Sequence, residues 1–174
     1  MTERAYTDIS DEDLLVLTRN SELEAFDALV DRYLDSLLVT VFREVGDMTT
    51  AENLVHNIFE EAFQGAATLL KQQSMRTWLF KIVFQHIGRS QRINSESLLG
   101  LEKALATLVP EHRHVLVLRE REDFSYEEIS IILGIPTTAV QSALISARLE
   151  LLKHCSTKQN QLTDKQNSVS KTRV

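Results

Sequence analysis

The side chains of this chain that could act on another molecule are amides, hydroxyls, aromatics and cations spread along helical patterns, without the clustered acids, thiols and imidazoles of an enzyme. His112 and His114 stand two residues apart, so they leave a helix on different faces, and no Asp, Glu or Cys completes a metal-ligand pattern with them. Cys155 is the one cysteine, which excludes an internal disulfide and a multi-thiolate zinc site within the chain. Beside a polar tail it reads as a free thiol. No Gly-rich phosphate loop and no G-x-S-x-G occurs. The pair Glu127-Glu128 is better explained by the start of a helix than by acid–base work. No catalytic residue, metal, cofactor or small-molecule substrate is expected.

The spacing does support recognition of nucleic acid. Phe124 to His154 holds two helical patterns broken at Leu133-Gly134-Ile135-Pro136. In the first, Ile129, Ile132 and Leu133 recur at helical spacing, and Ser125 with Glu128 forms a capping box that satisfies two backbone N–H groups. Gly134 supplies the turn, Pro136 forbids continuation, and Thr137 or Thr138 can cap a second helix with the apolar line Val140, Leu144, Ala147, Leu151. Two short helices joined by a Gly-containing turn are the helix-turn-helix pattern, whose second helix enters the DNA major groove. An ordinary helical hairpin has the same periodicity and stays open as the alternative. A second stretch, Met75 to about Arg92, mixes an apolar face with Arg76, Lys81, Arg89 and Arg92. Beside those cations Trp78 and Phe80 could stack on unpaired bases, or both rings could be core.

The elements that must position these residues are helices. Of 174 residues only five are Gly and two Pro, while 43% are hydrophobic, so an all-α protein with a buried core is expected, as one domain or two small ones. Ser10 starts a short helix. Phe26 to Val45 gives one long amphipathic helix stopped by Gly46, and Thr49-Thr50-Ala51-Glu52 reads as a capping box for a helix through Leu54, Ile58 and Phe63. Gln64 to Ser74 reads as a loop. Ile93 to Ser97 is a polar break between two helical domains, residues 22–92 and 98–155, preceded by a segment 1–21. Leu98 to Leu108 and Glu111 to Glu122 give two further helices before the helix-turn-helix. From Ser156 on, almost no large apolar residue remains, and a disordered, mildly basic tail is expected over 156–174. No apolar run approaches a membrane span and the acidic N-terminus lacks a signal-peptide core, which points to the cytoplasm. The net charge of −6 is awkward for a stand-alone DNA binder, because affinity for duplex comes mainly from cations on phosphate.

Three stretches together resemble the extracytoplasmic-function group of bacterial sigma-70 family RNA polymerase sigma factors. Asp47-Met48-Thr49-Thr50-Ala51-Glu52-Asn53-Leu54-Val55-His56-Asn57-Ile58-Phe59 is similar to the family's D-A-E-D-L-x-Q-x-x-F helix. Met75-Arg76-Thr77-Trp78-Leu79-Phe80-Lys81-Ile82 is similar to its F-R-x-W-L-Y-R-I helix. Leu108-Val109-Pro110-Glu111-His112-Arg113, continuing to Ser125-Tyr126-Glu127-Glu128-Ile129 and Leu133-Gly134-Ile135, is similar to its −35-reading region. The resemblance covers about residues 22–154 and implies two helical domains, sigma regions 2 and 4, joined by a short linker at 93–97. It implies core RNA polymerase and promoter DNA as partners and, as is common in the family, an anti-sigma factor. Polymerase contact would fall on Glu52, Asn53, His56, Asn57 and Glu60. The unpaired −10 strand would meet Arg76, Trp78, Lys81, Gln85 and Arg89. The −35 duplex would meet Thr137, Thr138, Gln141, Ser142 and Arg148. An acidic chain is then tolerable, because the polymerase supplies most of the grip on DNA, and Glu52, Glu60 and Glu61 complement a basic surface on it.

The sequence also departs from the family. The recognition helix usually reads T-V-K-S-R-L-x-R-A-R, whereas this chain has Ala139-Val140-Gln141-Ser142-Ala143-Leu144-Ile145-Ser146-Ala147-Arg148, so three cations are missing. Residues 102–154 carry six basic and eight acidic side chains, a balance of −2. In the second motif, the family's R-N is Phe84-Gln85 and its later Asp is Arg89. The linker, stretched at about 3.4 Å per residue with frayed ends, reaches roughly 30 Å, and promoter elements lie about two turns of roughly 34 Å apart. These departures define the alternative: a sigma-like interaction protein that binds polymerase or a regulator without autonomous promoter recognition. A dimeric helix-turn-helix regulator is a third possibility, against which the two motifs before Ile93 count.

Overall fold

The computed structural model of the chain describes residues 6–66, 74–88 and 101–171, with side chains over 103–154 in the last stretch. All its secondary structure among the described residues is helical, in two compact units that divide between Ser97 and Leu98. The expected linker, 93–97, lies outside the described residues, as does Arg89.

In the first unit a 3₁₀ turn at Tyr6–Asp8 leads to α1 (Asp11–Arg19). The Ser10 hydroxyl caps α1 by accepting from the Asp13 N–H at 3.2 Å. Leu14 and Leu15 are buried as α1 packs on α2 (Leu23–Val45), so this helix belongs to the first unit and not to a separate leading segment. Asp11 fixes the crossing: its carboxylate accepts from the Arg32 guanidinium and the Tyr33 hydroxyl, and Arg32 also donates to the Ile9 carbonyl at 3.0 Å. Burial first, and then the bond to Asp11, push the Tyr33 phenol well above its ordinary range. Along α2, Ala25, Phe26, Leu29, Tyr33, Leu37 and Val41 form one buried line at helical spacing. Gly46, in the left-handed region at φ 75°, ends it with its N–H on the Phe42 carbonyl at 2.7 Å.

The next helix, α3 (Met48–Gly65), starts earlier than the capping box at Thr49 and Glu52 would allow. Asp47 is the cap instead. Its carboxylate accepts from the Thr50 N–H at 2.7 Å and the Thr50 hydroxyl at 2.6 Å, and an ionised acceptor at the positive end of a helix outcompetes a hydroxyl two residues further on. These bonds hold the Asp47 carboxyl below its ordinary range. The helix α4 (Met75–Ile87) opens on Ser74, whose hydroxyl accepts from the Thr77 N–H at 3.1 Å. It was expected to run to about Arg92; the described helix is Met75–Ile87, and residues 89–92 lie outside the described residues.

The second unit holds α5 (Leu101–Ala106), α6 (Pro110–Glu120), α7 (Tyr126–Leu133) and α8 (Thr137–Lys171). Pro110 takes the first position of α6, where its fixed φ and missing N–H cost nothing. Val115, Leu118, Phe124, Ile129, Val140 and Ala147 are fully buried. The expected disorder from Ser156 onward is not what the backbone shows: α8 continues to Lys171. No single helix among the described residues is long and apolar enough to cross a membrane.

Candidate functional site

The helix-turn-helix is built from local bonds that the sequence encodes directly. Ser125 and Glu128 form a complete capping box, with the Ser125 N–H on Glu128 Oε2 at 2.9 Å and the Glu128 N–H on Ser125 Oγ at 3.2 Å. At the other end of α7, Gly134 adopts φ 67° and donates to the Ser130 carbonyl at 2.9 Å, while the Ser130 hydroxyl donates to the Ile135 carbonyl at 2.6 Å. Thr137 and Thr138 do not cap α8 but are its first two residues. The Pro136 carbonyl accepts from the Ala139 and Val140 N–H groups at 2.9 and 3.1 Å, so the prolyl carbonyl itself closes the first turn.

Burial divides α8 into two faces. Val140, Leu144 and Ala147 anchor it in the unit, whereas Thr138, Gln141, Ser142 and Arg148 are exposed and Thr137 is half-buried. Arg148, the one cation left from the family pattern, is already engaged. Its Nε donates to Glu120 Oε1 at 3.1 Å, its Nη2 bonds the same oxygen, and this bond raises its pKa above the ordinary guanidinium value. A second tie between α6 and α8 joins His112 Nδ1 to Glu150 Oε1 at 2.8 Å. The role of Glu120 had no local signal, since it meets Arg148 from 28 residues away.

On α4 the structure gathers three of the expected strand-contacting residues and separates a fourth. Trp78, Lys81 and Gln85 follow one another at three and four residues on a single face, with Gln85 exposed and the other two half-buried. Arg76 lies off that face, with its guanidinium 5.6 Å from the Phe80 ring centroid and close enough to act on the Tyr33 phenol. Phe80 is fully buried, so it is core and not a stacking platform. Trp78 packs edge-on over the end of α3, where a Cβ on Gly65 would come within 2.9 Å of Trp78 Cζ2. A Gly followed by a loop and a Trp-bearing helix was the available signal for that support.

On α3, Glu52, Asn53, His56, Asn57 and Glu60 are all exposed, while Ala51, Val55, Ile58, Phe59 and Ala62 are buried beneath them. Next to this surface Glu61 Oε2 meets His86 Nε2 of α4 at 2.7 Å. The site is thus three presented surfaces: a hydroxyl and amide face on α8, an aromatic and polar face on α4, and an acid and amide face on α3. Among the described residues no group of three His, Cys, Asp or Glu is placed to hold a metal ion.

Residues 98–151 match the family model described as Sigma-70, region 4. The chain is 30% identical over 159 residues to the RNA polymerase sigma factor YlaC of Bacillus subtilis, covering 75% of this chain and 92% of that protein. It is 27% identical over 157 residues to the ECF RNA polymerase sigma factor SigE of Mycolicibacterium smegmatis, covering 74% of this chain and 61% of that one. Its fold is similar to that of CnrH, solved in complex with the cytosolic domain of CnrY, with a TM-score of 0.74 at 24% identity over 84% of this chain and 97% of that chain.

Proposed function

Because the chain belongs to the sigma-70 family of RNA polymerase sigma factors, in its extracytoplasmic-function group, it is a polymerase-binding transcription initiation factor and not an enzyme, and we propose how its surfaces divide that work. The first three turns of α8 lie in the major groove of the −35 element, with Thr137, Thr138, Gln141 and Ser142 toward the base edges and Arg148 beside the backbone, where a phosphate must displace Glu120 to engage it. The face of Trp78, Lys81 and Gln85 takes the unpaired −10 strand by stacking and charge, and Arg89, outside the described residues, is assigned to the same strand. The face of Glu52, Asn53, His56, Asn57 and Glu60 docks on core polymerase, where its carboxylates complement basic groups. Arg76 serves this arrangement indirectly, by packing on Phe80.

The observation that carries this reading is the sorting of α8, where every polar residue assigned to DNA is exposed or half-buried while Val140, Leu144 and Ala147 are buried. The interaction protein without promoter recognition is not favoured. Work with polymerase and promoter DNA places the chain in the cytoplasm. An anti-sigma factor is a further partner in this reading, supported by the fold-alike CnrH having been solved with another protein's cytosolic domain bound. Photo-crosslinking tests the assignments: p-benzoylphenylalanine placed singly at Gln141, Gln85 and His56 in the assembled holoenzyme should label −35 duplex, the −10 strand and a large polymerase subunit, respectively. Labelling of polymerase alone from both Gln141 and Gln85 would overturn the DNA assignments.

A further inference from the structure

The outward face of α8 carries an apolar side chain where a DNA-reading helix has most use for a polar one. Ile145 is 60% exposed, one turn beyond Gln141 and flanked on that face by the exposed Ser142 and Leu149. Its methyl groups contribute nothing to the buried side of the helix, which Val140, Leu144 and Ala147 fill. The cations that would otherwise hold this face on DNA are absent: positions 141, 143 and 146 are Gln, Ala and Ser, and Arg148 is occupied by Glu120. Base discrimination must therefore come from hydroxyls, an amide and an apolar group.

We infer that Ile145 is a specificity-determining residue that reads the C5-methyl of a thymine in the −35 element, beside an adenine read by Gln141; this rests on α8 being the −35 reader. Among the groups that base pairs present in the major groove, the thymine methyl is the apolar one, whereas a glutamine amide matches the N6 and N7 pair of adenine. Isoleucine set against the amino and carbonyl groups of a G·C pair would strip them of water without replacing the hydrogen bond. Gln141 and Ile145 are four residues apart, about 6 Å along the helix, and successive bases in a strand repeat at about 3.4 Å. The thymine thus lies within two base pairs of the adenine.

The test uses holoenzyme assembled from core polymerase and the full chain. A duplex randomised upstream of a fixed −10 element is first selected for binding, and each thymine of the selected −35 element is then replaced singly by deoxyuridine, which removes only the methyl. The wild-type protein should select an adenine and thymine within two base pairs of each other. It should lose roughly fourfold in binding at one deoxyuridine, the effect of burying one methyl-sized group. Ile145→Ala, at an exposed position and with the best helix former, should bind both duplexes alike. Gln141→Ala should change the selected sequence yet keep the deoxyuridine effect. A selected element without any deoxyuridine effect, or an effect unchanged in Ile145→Ala, overturns the inference, while the −35 reading stands on the Gln141→Ala result. If Ile145→Ala instead weakens assembly with core polymerase, the residue is a protein contact and the inference fails. If neither substitution alters the selected sequence, the −35 reading by α8 fails with it.

Discussion

Releasing Arg148 from Glu120 should strengthen −35 binding in a way that only low salt reveals. Both side chains are about half exposed, at 53% and 49%, and two guanidinium nitrogens of Arg148 share one Glu120 oxygen. A phosphate must displace that carboxylate before Arg148 can contribute. Glu120→Gln removes the competitor and shifts the charge of residues 102–154 from −2 to −1. Glu120 is also the last residue of α6, where a carboxylate opposes the helix dipole, so the substitution does not cost the fold. One phosphate contact changes the slope of log affinity against log salt by about 0.9, which between 50 and 200 mM salt is roughly 3.5-fold in affinity. The assay is salt-dependent binding of holoenzyme to a −35 duplex lacking the −10 element, with wild type, Glu120→Gln, Arg148→Gln and the double variant. Glu120→Gln should steepen the slope by about 0.9. Arg148→Gln should leave the wild-type slope nearly unchanged but abolish the gain in the Glu120→Gln background. A wild-type slope that already falls by about 0.9 on Arg148→Gln, with no effect of Glu120→Gln, would refute the reasoning by showing Arg148 on phosphate throughout.

Three other perturbations follow from the geometry. Gly65→Ala would set a Cβ 2.9 Å from Trp78 Cζ2, so the indole must shift; promoter opening, followed by 2-aminopurine fluorescence in the −10 strand, should slow while −35 duplex binding is unchanged. Ser125→Ala removes one half of the capping box of α7 and should lower stability by about 1 kcal/mol, read as a denaturant midpoint shift at constant m-value. Because the folded Asp47 carboxyl lies below its ordinary range, its contribution to stability is present above the unfolded aspartate pKa of about 3.9 and is lost as pH falls through the folded value. Asp47→Asn should therefore narrow its gap to wild type between neutral pH and pH 3 in acid-denaturation profiles, and a gap independent of pH would contradict that cause.

The sequence made legible whatever is encoded within one or two turns. Ser125 with Glu128, Gly46, Gly134 and Pro110 set element boundaries through their own backbone chemistry. Apolar spacing placed the buried line of α2 and the Val140, Leu144 and Ala147 line of α8, whereas Leu151 is half-buried and, on α3, Leu54 is half-buried and Phe63 exposed. The sequence misplaced what depends on competition between neighbours: Asp47 outbids Thr49 as a cap because it is charged, and Pro136 supplies the carbonyl that closes α8 where either threonine seemed suited. It could not show what depends on residues distant in the chain. Phe80 and Trp78 look alike in a list of aromatics, yet one is fully buried and the other half-exposed over Gly65. Arg76 and Lys81 look alike as cations, yet Arg76 points away from the face that holds Lys81. The engagement of Arg148 by Glu120 is the largest such gap, because it alters what the remaining cation of the recognition helix can do.

Run-off transcription with purified core polymerase, the full chain and the DNA upstream of its own gene tests the central claim most directly. A discrete transcript that depends on the chain, weakens with Trp78→Ala and weakens with Gln141→Ala is the predicted result. A chain that binds core polymerase but yields no transcript from that DNA or from a library of upstream sequences would contradict it.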